Sequence, residues 1–188
     1  CKFCNTQTGR PLPLDPDEPT HVAESIALMK LSHAVITSVD RDDLPDLGAA
    51  HWAQTIREIK RLNPETTTEV LIPDFQGRKE LVDQVIKACP EIISHNMETV
   101  KRISPQVRSA ANYHTSLEVI RQIAESGITA KSGIMVGLGE TPAEVEELMD
   151  DLISVGCKIL TIGQYLQPTH KHFPVAASVS YTHLTLPT

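Results

Sequence analysis

The residue pattern predicts an α/β protein on a parallel sheet, a partial TIM-like (β/α) barrel of about six units. Three observations predict it. Short apolar runs alternate with stretches of helical periodicity at intervals of roughly 25 to 35 residues, the rhythm of βα units. The runs read as buried strands, as expected where helices cover a sheet. Polar residues collect just after the runs, at 37–43, Asp74, 95–98, 137–140 and 164–172, where barrels of this kind carry their chemistry.

Taken in order, Pro11-Leu12-Pro13-Leu14-Asp15-Pro16-Asp17 cannot be regular helix or central strand. A helix follows Glu18-Pro19-Thr20, with Val22, Ile26 and Met29 on one face. Ala34-Val35-Ile36-Thr37-Ser38-Val39 is a strand, closed by the charged turn Asp40-Arg41-Asp42-Asp43. The next helix, over 48–62, carries Ala49, Ala53, Ile56 and Ile59 and stops at Asn63-Pro64. Strand 68–72 ends at Pro73-Asp74, and helix 78–88 presents Leu81, Val82, Val85 and Ile86. Strand 91–96 leads through an irregular link to helix 116–125, capped by Gly127. Strand 128–136, the turn Gly137-Leu138-Gly139, helix 142–155 and strand 158–162 complete the pattern. Thr141 is placed as N-cap of that last helix and Pro142 at its first position. These are five strands; a sixth is expected before Cys1. The barrel is assigned to 1–175, and 176–188, which loses all patterning, is read as a non-native tail.

The net charge of −7 gives no basic surface, which argues against nucleic acid as a partner. No run approaches the roughly 20 apolar residues of a membrane helix, and no signal peptide is visible. Four cysteines with one close pair do not form a disulfide framework and point to a reducing, cytoplasmic setting. Cys89 and Cys157, near helix ends, are expected to be buried as small apolar residues. The close pair, Cys1-Lys2-Phe3-Cys4, has a spacing that zinc half-sites, redox dithiols and iron–sulfur loops all use. No Ser-His-Asp set, P-loop or His-Glu-x-x-His occurs, and Gly137-Leu138-Gly139-Glu140 is an incomplete dinucleotide fingerprint because residue 142 is proline. His170 and His172 read as surface or substrate contacts beyond the last strand, along with Gln164, Tyr165 and Gln167.

Six segments in order resemble the lipoyl synthase family of radical S-adenosylmethionine (SAM) enzymes. They are Cys1-Lys2-Phe3-Cys4, the run 35–44, Ile72-Pro73-Asp74-Phe75-Gln76-Gly77-Arg78, His95-Asn96-Met97-Glu98-Thr99, the run 131–140, and Gly163-Gln164-Tyr165-Leu166-Gln167-Pro168. The resemblance implies insertion of two sulfur atoms at C6 and C8 of a protein-bound octanoyl chain. It further implies two [4Fe-4S] clusters in the full-length protein and SAM as cofactor. An octanoylated lipoyl carrier domain or H protein is the implied partner, with a flavodoxin or ferredoxin as electron donor. Biotin synthase, another sulfur inserter, shares parts of the pattern, and the run Thr37-Ser38-Val39-Asp40-Arg41-Asp42-Asp43 favours lipoyl synthase. A non-catalytic zinc-binding (β/α) domain is the reading from a different class.

By that resemblance Cys1 and Cys4 are cluster ligands, with the first cysteine of the triplet expected before residue 1. Auxiliary-cluster cysteines are expected further upstream and a serine ligand beyond the tail, so the chain as it stands is expected to be inactive. Phe3 would shield the cluster beside the adenine. Thr37 and Ser38 would hold the methionine ammonium of SAM. Asn96 and Glu98, taken as alternate residues of one strand, would bond the ribose hydroxyls, and Arg108 the methionine carboxylate. Lys131, in a buried strand, is expected to face the pocket and pair with a carboxylate or cofactor. Met135 and Gly137 would form the wall and close backbone approach for adenine.

Overall fold

The computed structural model describes residues 1–6, 9, 11–108 and 110–179. Five strands, β1 (His33–Thr37), β2 (Thr67–Leu71), β3 (Ile92–Ser94), β4 (Thr129–Val136) and β5 (Ile159–Gln164), lie in sequential order and are all parallel. Helix α1 (Glu18–Met29) precedes β1; parallel neighbours need crossovers, and the later helices supply them: α2 (Ala49–Leu62), α3 (Lys79–Ile86), α4 (Ser104–Val107), α5 (Tyr113–Glu125) and α6 (Pro142–Ser154). The result is the expected curled half-barrel.

Alternation along the strands divides the sheet into two faces. Val70, Ile93, Ala130 and Ile134 turn outward into a core with Ile56, Val82, Ile120 and Leu148 of the helices, and Ala34 packs in a smaller cluster with Ala23, Ile26 and Ile59. Fully burying each valine, leucine or isoleucine of this set contributes about 1.5–3 kcal/mol. The concave face carries a different set. Glu69, 4% exposed, meets Lys131 Nζ at 2.8 Å, Ser94 Oγ at 3.1 Å and His33 Nε2 at 3.5 Å. Thus Lys131 does pair with a carboxylate, but as the third residue of β4, below the strand ends.

Several boundaries differ from expectation. Helix α5 starts three residues early because Asn112 caps it, accepting from His114 N at 2.9 Å and Thr115 N at 3.4 Å. Helix α6 begins as expected, on a capping box between Thr141 and Glu144 behind Pro142. Strand β3 ends at Ser94, not residue 96, and the chain rejoins β4 only at an isolated bridge from Glu98 to Ile134. The link after it contains α4, which periodicity over so few residues cannot show. Cys89 is exposed, not buried: it sits just past α3 with φ 57°, which lifts it off the core. Cys157 is half-buried, and burial raises its thiol pKa. Of the tail assigned to 176–188, residues 180–188 lie outside the described residues.

Removing one partner of a buried pair leaves the other charge uncompensated. Lys131→Met should therefore destabilise the fold by about 3 kcal/mol in urea titrations, and adding Glu69→Leu should recover most of that loss. Equal stability of Lys131→Met and the parent would refute a structural role for the pair.

Candidate functional site

The carboxyl ends of the strands converge on the cysteine loop. Lys2 seats it through its own peptide groups: its N–H donates to Val107 O at 2.8 Å, and its carbonyl accepts from Phe173 N at 2.8 Å. His172 adds a third tie, from Nε2 to Cys4 O at 3.1 Å, with Nδ1 held by Thr169 Oγ1 at 2.8 Å. The sequence placed His172 towards substrate; its observed contacts are with the loop and its own turn. Tyr165, also expected near the substrate mouth, is 1% exposed and bonds Phe173 O. Phe3 is half-buried against the main core, whereas Cys1 and Cys4 remain exposed. The Cys4 thiol meets Thr6 through Oγ1 at 2.8 Å and N at 3.3 Å.

Arg108 lies beneath this loop, 5% exposed, directly after α4. Its Nη1 donates to Met97 O at 3.3 Å and its Nη2 to Ser116 Oγ at 2.9 Å. Burial lowers its pKa, and the charges of Glu98, Asp74 and Asp40 work against that effect. Asp40 is raised by burial and by Asp42 and Asp74, while Arg108 pulls it down. These groups come from the ends of β1, β2 and β3, so the sheet itself gathers them. Arg41 and Asp43 do not join them: they form a bidentate pair at 2.8 and 2.9 Å. Asp42 accepts instead from Gln76 Nε2 at 3.3 Å.

Behind Arg108 is His95, 4% exposed, with Nδ1 2.9 Å from Ile72 O and Nε2 2.9 Å from Ser116 Oγ. A carbonyl can only accept, so Nδ1 carries the proton. Burial first, then the charge of Arg108, lowers the His95 pKa to about 4. Neither His95 nor Ser116 stood out individually as a site residue. A serine four residues into an amphipathic helix, on the side of Leu117 and Ile120, was the available signal.

Asn96 and Glu98 reach the same place by a route the sequence did not indicate. They are not alternate residues of one extended strand, since Glu98 has φ 65°. Its N–H bonds Gly133 O at 3.0 Å and its carbonyl accepts from Met135 N at 2.8 Å, which fixes that left-handed backbone. Burial raises the Glu98 carboxyl pKa, against the pull of the Asn96 amide and Arg108. Asn96 Oδ1 stands 2.8 Å from where a Cβ on Gly133 would be, and Thr161 Oγ1 2.9 Å. Any side chain at 133 would displace the Asn96 amide or the Thr161 hydroxyl.

Met135 shares the concave face, and Gly137 turns with φ 99°. Both oxygens of Glu140 hold that turn, Oε1 accepting from Gly137 N and Oε2 from Leu138 N at 2.9 Å. The chain returns across it, Ala176 N donating to Gly137 O at 2.7 Å. Thr37 is exposed at the end of β1, and Ser38 spends its hydroxyl on Val39 O at 3.0 Å. Cys1, Cys4, Asn96, Glu98, Arg108, Met135 and Gly137 thus share the carboxyl pole, and Lys131 lies a layer below.

The two thiols are the soft donors an iron–sulfur cluster takes. Their exposure above the strand ends fits that group as two of its ligands. Among the described residues, no group of three or more His, Cys, Asp or Glu side chains is arranged to hold a metal ion.

The match to known proteins agrees with this geometry: the family model of the radical SAM superfamily covers residues 1–152, and the chain belongs to that superfamily. Its relatives are more specific. A lipoyl synthase of Bacteroides fragilis is 98% identical over 180 residues, 96% of this chain and 62% of that protein. One of Phocaeicola vulgatus is 82% identical over 96% of this chain and 63% of its own length. The chain thus spans less than two thirds of these relatives. Among solved structures, SuiB of Streptococcus suis bound to S-adenosylmethionine superposes with a TM-score of 0.75 at 12% identity. That likeness covers 98% of this chain and 41% of SuiB and is one of fold.

The buried imidazole makes stability depend on pH. Unfolded, His95 titrates near 6.5, and folded at about 4. As pH falls through that window the unfolded chain takes up the proton first, so stability present above 6.5 is lost towards 4. Urea titrations should show the parent losing about 1 kcal/mol per pH unit there beyond whatever His95→Gln loses. Parallel slopes for the two proteins would refute the assignment.

Proposed function

We propose that the full-length protein is a lipoyl synthase, inserting two sulfur atoms at C6 and C8 of an octanoyl chain held on a carrier domain or H protein. The observation that carries the reading is the meeting, at one pole, of the Cys1–Cys4 loop with Arg108 amid Asp40, Asp74 and Glu98. SAM offers an ammonium, a sulfonium and one carboxylate. Several carboxylates grouped around the Arg108 guanidinium complement that charge pattern. When bound, a [4Fe-4S] cluster and SAM together supply a 5′-deoxyadenosyl radical that removes hydrogen atoms from the octanoyl chain.

In this reading Cys1 and Cys4 are two of three ligands to that cluster, and Phe3 backs their loop. Arg108 takes the methionine carboxylate. Glu98 and Asn96 bond the ribose diol, a geometry suited to a carboxylate that accepts from both hydroxyls. Met135 and the Gly137 turn receive adenine, and Thr37 and Ser38 border the ammonium. Lys131, bound to Glu69, shapes the concave face beneath the cofactor. The barrel unit is 1–175, and the remaining ligands, including those of a second cluster, belong to the rest of the full-length protein. A flavodoxin or ferredoxin supplies electrons, in the cytoplasm. The relatives at 98% and 82% identity favour this over sulfur insertion of the biotin synthase kind and over a zinc-binding domain.

Full-length protein prepared anaerobically should carry about eight irons per chain, two cubanes, and convert an octanoyl-lysine peptide to its dithiol. About four irons and no sulfur in the product would overturn the reading. Glu98→Ala should weaken SAM binding about tenfold or more, the loss of charge-assisted hydrogen bonds to the diol. Unchanged affinity would remove the ribose assignment.

A further inference from the structure

Arg108, Ser116 and His95 form a buried hydrogen-bonded chain that ends on the backbone. Its polarity is set from both ends. The Ile72 carbonyl requires a proton on His95 Nδ1, which leaves Nε2 as an acceptor. The guanidinium can only donate, so Ser116 Oγ receives Arg108 Nη2 at 2.9 Å and turns its own proton to His95 Nε2 at 2.9 Å. Every member is buried: His95 is 4%, Ser116 0% and Arg108 5% exposed.

Core packing does not account for these residues. Ser116 lies inside α5, where a hydroxyl competes with the helix backbone and adds little apolar contact. Burying it is unfavourable unless it is fully bonded, and here it is bonded on both sides. Arg108, meanwhile, is held by neutral acceptors alone, Met97 O on Nη1 and Ser116 Oγ on Nη2. Among the described residues no carboxylate lies within 4.0 Å of it. Two bonds from different nitrogens to separate acceptors fix the direction in which a planar guanidinium points, and its charge stays uncommitted.

We propose that Ser116, backed by His95, is a positioning residue that aims the Arg108 guanidinium at the carboxylate of the bound cofactor. This rests on the reading of Arg108 as the carboxylate partner of SAM, and it goes further by assigning the groups that orient it. Ser116 and His95 need not touch the ligand. Their contribution is to present the fork already rotated, so that binding does not have to order it.

The test compares two ligands that differ only in the carboxylate, SAM and decarboxylated SAM. Dissociation constants of both are measured on the cluster-loaded full-length protein by anaerobic equilibrium binding. Because the ratio is taken within each variant, any loss of folded protein cancels. The parent should prefer SAM. Ser116→Ala should reduce that preference about tenfold, the scale of a charged hydrogen bond, with little change for the decarboxylated ligand. Arg108→Ala should abolish the preference, and the double variant should be no worse than Arg108→Ala alone. If Ser116→Ala keeps the parent ratio while Arg108→Ala loses it, the positioning role is wrong and the carboxylate assignment stands. If Arg108→Ala also keeps the ratio, both are overturned.

Discussion

The buried guanidinium of Arg108, bonded to Met97 O and Ser116 Oγ, is the constraint on which the carboxyl pole depends. An isolated charge in a low-dielectric interior is strongly unfavourable, and a protein keeps one only where surrounding charges and hydrogen bonds compensate. Here the compensation comes from three strand ends, through Asp40, Asp74 and Glu98. Each carboxylate is placed by a local device: a turn after β1, a capped turn at Phe75–Gly77, and a left-handed residue fastened to β4. Arg108 itself is carried by the segment after α4, whose last helical carbonyl also holds Lys2.

The concave face contains a second charged layer with the opposite logic. Glu69 and Lys131 neutralise each other at 2.8 Å, with Ser94 and His33 completing the carboxylate's contacts. That layer is closed and needs no ligand. In the upper layer Arg108 has no direct ion pair among the described residues, and burial raises the carboxyl pKa of Asp40 and Glu98. The sheet thus separates a charge pair that ties strands together from charges gathered at the strand ends without such close pairing.

Much of this is legible in the residues. Apolar runs such as Val70-Leu71-Ile72 and helical faces such as Leu81, Val82 and Val85 specify strands and helices, because burial enforces their periods. Gathering of polar residues at strand ends is legible for the same reason, since outward positions are committed to the core. What is not legible depends on tertiary contact. Glu98 adopts its positive φ only because Gly133 and Met135 capture its peptide groups, so the alternation argument finds the right residues for the wrong reason. Ser116 gains meaning only when His95 and Arg108 arrive from elsewhere in the chain. Cys89, apolar in type, is lifted out by one backbone dihedral.

The seat of the cysteine loop is made by partners from opposite ends of the chain, His172 reaching Cys4 across 168 residues. Closing so wide a gap costs loop entropy and is favourable only once the intervening units are packed. The backbone around Cys1 and Cys4 is therefore held in place only when the strands and helices between Lys2 and His172 have packed, so local loosening anywhere along the sheet would be felt at this loop.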